Sequence, residues 1–296
     1  MNSITTAKAS TKKTEFAKRD WFYIFREMPS CFDQKVCESV ASRLLERYSK
    51  ITKSWEVARN SEWLCRLYLG AKMIMVATLQ INSMYYAELK NLRIVVPYLK
   101  YYSLLSLLRA IVFTLPEFEW KDGELIRISH SSTIDGAILH LGKFNSSLAS
   151  SVKSDILAIK AERELVSYRA PSSGDEQLSQ NNRFLALCTL LAEVAQFNSE
   201  LLEVSVLKYG DREAFVLNPD YLDKISAIEI DGHYFGDKED AYRLDYLSRK
   251  YPLPANLMHI MTEGHVDDFF GAWCSPDNTE GDFNPDELKC IIFDIP

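Results

Sequence analysis

The stretch that most constrains this chain is residues 55–92, which contains a single glycine, Gly70, and no proline. Trp63, Leu64, Leu67, Tyr68, Ala71, Ile74, Met75, Thr78, Leu79 and Ile81 recur through it at helical spacings,. Good helix formers fill the gaps, so one long helix of about 57 Å is expected at 1.5 Å per residue. Its apolar residues run around most of its circumference, and such a helix must be covered on several sides. The rest of the chain offers the covers. Residues 16–50, 98–115, 132–142, 150–168 and 183–209 read as further helices by the same periodicity,. Pro97 marks a boundary or kink, Pro116 stops the second of these segments, and Gly210 closes the last,. Ser151 is the expected cap of the 150–168 helix, and a Pro-Ser-Ser-Gly loop from Pro171 to Gly174 follows it,.

Two of these segments invite comparison with membrane spans. Residues 71–87 contain Lys72, Gln80 and Asn82, and residues 94–115 contain Pro97, Lys100 and Arg109. A span needs about 20 apolar residues nearly free of charge, so buried core helices, no membrane and a cytoplasmic location are expected. A composition of 47% hydrophobic and 25% charged residues is that of a folded globular chain rather than a disordered one,. Residues 1–13 are polar, lack an apolar signal region and read as a disordered leader,. Six cysteines occur without any C-x-x-C pair, which argues against a disulfide framework or a zinc ribbon,.

Beyond Gly210 the character changes. Residues 211–296 hold 7 Lys/Arg and 19 Asp/Glu, a net of −12, against a whole-chain net of −7. Residues 1–210 therefore carry −7 − (−12) = +5. Residues 214–217, 225–230 and 290–295 are short, partly β-branched and bounded by turn formers, as strands are; residues 240–250 and 257–262 read as short helices,. The expected fold class is mainly α: a multi-helix domain over 14–210 followed by a small acidic α+β module over 211–296.

Several chemistries lack their signatures. There is no G-x-x-x-x-G-K-[ST], no G-x-G-x-x-G and no G-x-S-x-G,. The acidic run from Asp277 misses the spacing of a calcium loop, because Gly281 and Asp282 occupy the fifth and sixth positions,. His233, His259 and His265 lie among Asp231, Asp237, Glu263, Asp267 and Asp268. Imidazole with carboxylate suits a metal-dependent hydrolase, but the spacings match no known ligand pattern, and neither metal nor cofactor is expected.

The order of elements in residues 61–209 resembles the HEPN superfamily of small helical domains. A long helix leads into Tyr101-Tyr102, an apolar run and Arg109-Ala110. A loop then leads to Ser129-His130, and Glu162-Arg163 precedes Tyr168-Arg169 near a helix end. The resemblance implies a place in a prokaryotic antiviral-defence or toxin–antitoxin assembly. It also implies that Tyr102, Arg109, Tyr168 and Arg169 are candidate binding residues, and that His130, Arg127 and Arg163 are candidate catalytic residues. HEPN ribonucleases carry an Arg, then four to six residues, then a His. Here Tyr168 follows Arg163 at that spacing, and no Arg in the chain has a His there.

The leading expectation is therefore a non-catalytic subunit. It binds a protein partner through the acidic C-terminal module and RNA locally, through residues such as Arg127, Lys143, Lys153 and Lys160, as a homodimer or a hetero-complex. The alternatives are a metal-independent endoribonuclease with a non-standard Arg/His centre, and a metal-dependent hydrolase site in the C-terminal module.

Overall fold

The computed structural model describes residues 14–176, 178, 183–277, 279 and 281–295; the expected leader, 1–13, lies outside them. The chain is mainly helical with two small two-stranded sheets. It begins with β1 (Thr14–Phe16) and β2 (Arg19–Trp21), an antiparallel hairpin, followed by α1 (Met28–Cys31) and α2 (Gln34–Thr52). The sequence predicts one helix over 16–50. The structure corrects this: Trp21, Tyr23 and Phe25 are buried while Phe22, Ile24 and Arg26 are exposed, the two-residue period of extended chain,.

The long helix is α3 (Val57–Leu89), and α4 (Val96–Phe113) folds back along it. Pro97 sits in the first turn of α4, where its missing N–H costs nothing, rather than at a kink,. α5 (His130–Leu141) and α6 (Ser146–Arg169) cover the far side of α4. The cap of α6 is Asn145, whose side chain accepts from Leu148 N–H, in place of the expected Ser151. Gly136 of α5 lies against the Phe118 ring, where a Cβ would come within 2.3 Å of Cζ.

α7 (Phe184–Tyr209) runs through the centre. Most of its polar residues are buried too, and they bond to other parts of the chain. Glu193 accepts from the backbone N–H groups of Arg26, Glu27 and Met28, and Glu200 from those of Phe22 and Tyr23. The extended segment after β2 is thus clasped onto α7 by two carboxylates seven residues apart.

Beyond Gly210 come α8 (Pro219–Ser226), β3 (Ala227–Ile230), β4 (His233–Gly236), α9 (Lys238–Lys250) and α10 (Glu263–Gly271). Residues 214–217 and 290–295 contain no strand, and 257–262 is turn rather than helix. Buried side chains from both sides of Gly210 form one hydrophobic core. Phe293 stacks on Tyr23 at 4.7 Å, Leu257 packs on Gly70, and the buried Asp240 carboxylate bonds Tyr68 and Lys72 of α3.

By length and composition α3, the 93–113 stretch and α7 are each able to cross a membrane, which corrects the expectation that the polar residues in 71–87 and 94–115 rule a span out. In the fold, 78%, 61% and 89% of their apolar windows are buried against other parts of the chain.

Candidate anion-binding site on three helices

α4 presents Tyr101, Tyr102 and Arg109 at positions seven and eight apart, which share one helical face,. His130 opens α5, with Ser129 as its N-cap accepting from Ser132 N–H. α6 contributes Lys160 and Arg163, one turn apart. Packing of α5 and α6 on α4 brings these groups together. The Tyr101 hydroxyl lies 3.0 Å from His130 Nδ1, and the Tyr102 ring meets the imidazole edge-on at 6.2 Å. The Arg163 guanidinium sits 4.9 Å from the centre of the Tyr101 ring, a cation–π geometry,. Arg109 reaches the Ile128 carbonyl at 3.4 Å, at the entry to α5.

The electrostatics follow from this placement. Burial holds the His130 imidazole below its ordinary range, and the charges of Arg109, Arg163 and Lys160 push it further down,. Burial lowers Arg109, an effect opposed by Tyr101 and Tyr102. The Tyr101 phenol is raised by burial in spite of Arg163. The Glu164 carboxylate stands 3.7 Å from Lys160 and 3.6 Å from Arg163. Arg109 has no ion-pair partner among the described residues. The Nε–H groups of Arg109 and Arg163 are both buried without an acceptor. Three cations gathered round His130, with unpartnered guanidinium Nε–H groups beside a helix N-terminus, make a setting for an anion,.

Arg66 shows the opposite case. It is also buried, yet its guanidinium bonds Glu62 and the carbonyls of Phe113, Leu115 and Phe118 and stacks on Trp63. Its donors are spent on the fold. It lines a surface cavity of about 330 Å³ with Arg59, Trp120 and Tyr221, apart from the His130 cluster.

The residues singled out in sequence divide. His130, Arg163, Arg109 and Tyr102 converge. Arg127 turns away and donates to the Glu229 carbonyl of β3 at 3.2 Å. Tyr168 and Arg169 are exposed at the far end of α6. Lys143 and Lys153 are paired with Glu117 and Asp135. Tyr101 hydrogen-bonds His130 while Tyr102 meets it only ring to ring; the signal available for Tyr101 was its eight-residue spacing from Arg109. His233, His259 and His265 occupy separate places: on β4, beside Asn256, and against Tyr246. No group of three or more metal-ligating side chains gathers among the described residues.

Compared with protein-family models, curated proteins and solved structures, the chain finds no match.

Proposed function

We propose that this chain binds the phosphate backbone of RNA at the Arg109–His130–Lys160–Arg163 cluster. The observation that carries the reading is the convergence of three cations, two with unpartnered guanidinium donors, on one half-buried histidine. Tyr102, 37% exposed, lies at its edge and offers a ring for a base to stack on,. The resemblance to HEPN domains adds the setting: a subunit of a prokaryotic defence or toxin–antitoxin assembly. The test is fluorescence anisotropy with a labelled single-stranded RNA. Binding should weaken as salt rises. Arg163→Ala should weaken it about tenfold, equivalent to about 1.4 kcal/mol. Because His130 titrates below its ordinary range, it is neutral at pH 7 and charges only in acid. Binding should therefore tighten below about pH 6.5, and His130→Ala should remove that step. No binding by the unaltered protein at low salt would sink the reading.

A second reading, cleavage, is favoured by the state of His130 itself. A neutral imidazole held against a tyrosine hydroxyl can take the proton of a ribose 2′-hydroxyl as that oxygen bonds to phosphorus and the 5′-oxygen leaves,. Arg109 and Arg163 would offset the phosphate charge. Cleavage products should form in the presence of a chelator, and cleavage that survives His130→Ala removes His130 from the mechanism.

A further inference from the structure

The hairpin of β3 and β4 stands off the body with an open edge. Ile228 pairs with Phe235, Glu229 with Tyr234 and Ile230 with His233, and the Asp231-Gly232 turn has φ of 51° and 79°. Two left-handed residues in a two-residue loop are the turn that matches the strand twist. In such a hairpin the residues flanking the loop exchange both hydrogen bonds, and the next pair points its N–H and C=O groups outward. Glu229 and Tyr234 are therefore the outward-facing pair. On the β3 side the outward Glu229 carbonyl is taken by Arg127 at 3.2 Å. On the β4 side Tyr234 N–H and C=O have no partner among the described residues.

The side chains are as open as the backbone. Ile228, Ile230 and Phe235 share one face and are 38%, 56% and 56% exposed, and Tyr234 on the other face is 72% exposed. Natural edges are blunted by lysine, proline or a bulge; neither strand has any of these. Residues 227–237 contain Glu229, Asp231 and Asp237 and no Lys or Arg. Two copies meeting here would set acid against acid, within a segment whose net charge is −12 over residues 211–296.

We infer that the β4 edge is a docking strand for an extended, cationic segment of another protein. That segment adds as a third strand, its backbone pairing with Tyr234. Its apolar side chains cover Ile228, Ile230 and Phe235, and its Lys or Arg residues meet Glu229 and Asp231. The inference is independent of the RNA site, which shares none of these residues.

The probe is a synthetic peptide alternating lysine and valine, with a glutamate–valine peptide as its opposite, each titrated into the full chain. The readouts are amide hydrogen exchange at Tyr234 and analytical ultracentrifugation. The basic peptide should slow exchange at Tyr234 and bind less tightly as salt rises; the acidic peptide should do neither. Tyr234→Pro removes an N–H that the hairpin itself does not use, so the fold is kept while binding falls about tenfold or more. Circular dichroism checks that the fold survives, and Asp231→Lys with Glu229→Lys supplies a second variant that should reverse the preference between the peptides. Three results would overturn the inference: unchanged exchange with the basic peptide, equal binding of both peptides, or a dimer that protects Tyr234 without any peptide.

Discussion

At the scale of single residues, two histidines show how position decides role. His130 sits half-buried at a helix start among cations, where its proton is available to a ligand. His140 is fully buried, and burial drives its pKa down to about 3. Its tautomer can be worked out. Thr114 Oγ donates to the Ile111 carbonyl and so accepts from Asn198 Nδ2, which leaves Asn198 Oδ1 to accept from His140 Nε2–H. The Nδ1 lone pair faces no donor, and a proton there would have no acceptor. The unfolded chain, by contrast, protonates this ring near pH 6.5. The unfolded state therefore binds the extra proton between about pH 6.5 and 3, and stability falls as pH falls through that window, by up to about 1.4 kcal/mol per unit. Urea unfolding at pH 7 and pH 5 should show this loss, and His140→Gln should flatten the slope. An unchanged slope would mean that His140 is not the group responsible.

At the scale of elements, sequence pattern located the long helices between 57 and 209, missed α8 and α10, and missed the clasp. The 3.6-residue period of α3 was legible because most of its apolar positions between Trp63 and Ala87 are buried in the core. The ends of α4 and α7 fell within two residues of expectation, since Pro97 and Gly210 punctuate them. The N-terminal segment was read as helix although Trp21, Tyr23 and Phe25 alternate with exposed residues. Helix propensity in the following 34–52 stretch spread the reading backwards. The deeper reason is that the segment's partners are distant in sequence. Its N–H groups find Glu193 and Glu200, and nothing local to either strand or helix announces that pairing. A hint lay in α7, where Glu193 and Glu200, seven residues apart, stand on one face of a helix rich in apolar residues,. Burial pushes both carboxyls above their usual range, against the opposing pull of the N–H donors. Glu193→Ala would leave the N–H groups of Arg26, Glu27 and Met28 without their acceptor, the last of them buried and the other two partly so. We expect it to lower stability by about 2–4 kcal/mol in urea unfolding, with hydrogen exchange speeding first at Arg26, Glu27 and Met28. A variant as stable as the parent would show that the clasp contributes nothing.

At the scale of the whole molecule, the candidate site was legible only in pieces. His130, Arg109 and Arg163 were singled out from short motifs, but their meeting depends on α5 and α6 crossing α4, which a linear Arg–His spacing does not express. The same limit applies to the boundary near Gly210. Composition changes there, yet packing does not stop. Residues after Gly210 cover α3 through Leu257 and Asp240, bond Gln196 and Glu203 of α7 through Asn256, and stack on the N-terminal segment through Phe293. Removing residues 211–296 would strip one side of α3, leave Lys72 without Asp240 and expose Tyr23. Each buried aromatic or leucine so uncovered costs about 1.5–3 kcal/mol, and a folded chain holds only about 5–15 kcal/mol in reserve. Five such losses, about 7.5–15 kcal/mol, are of the same size as that reserve. A chain ending at Gly210 should therefore keep much of its helical circular dichroism while losing the sharp, single urea transition expected of the full chain. A cooperative transition in the shortened chain, at a midpoint close to the parent's, would instead show that the helical part folds alone and that the shared core is an interface between two independent units.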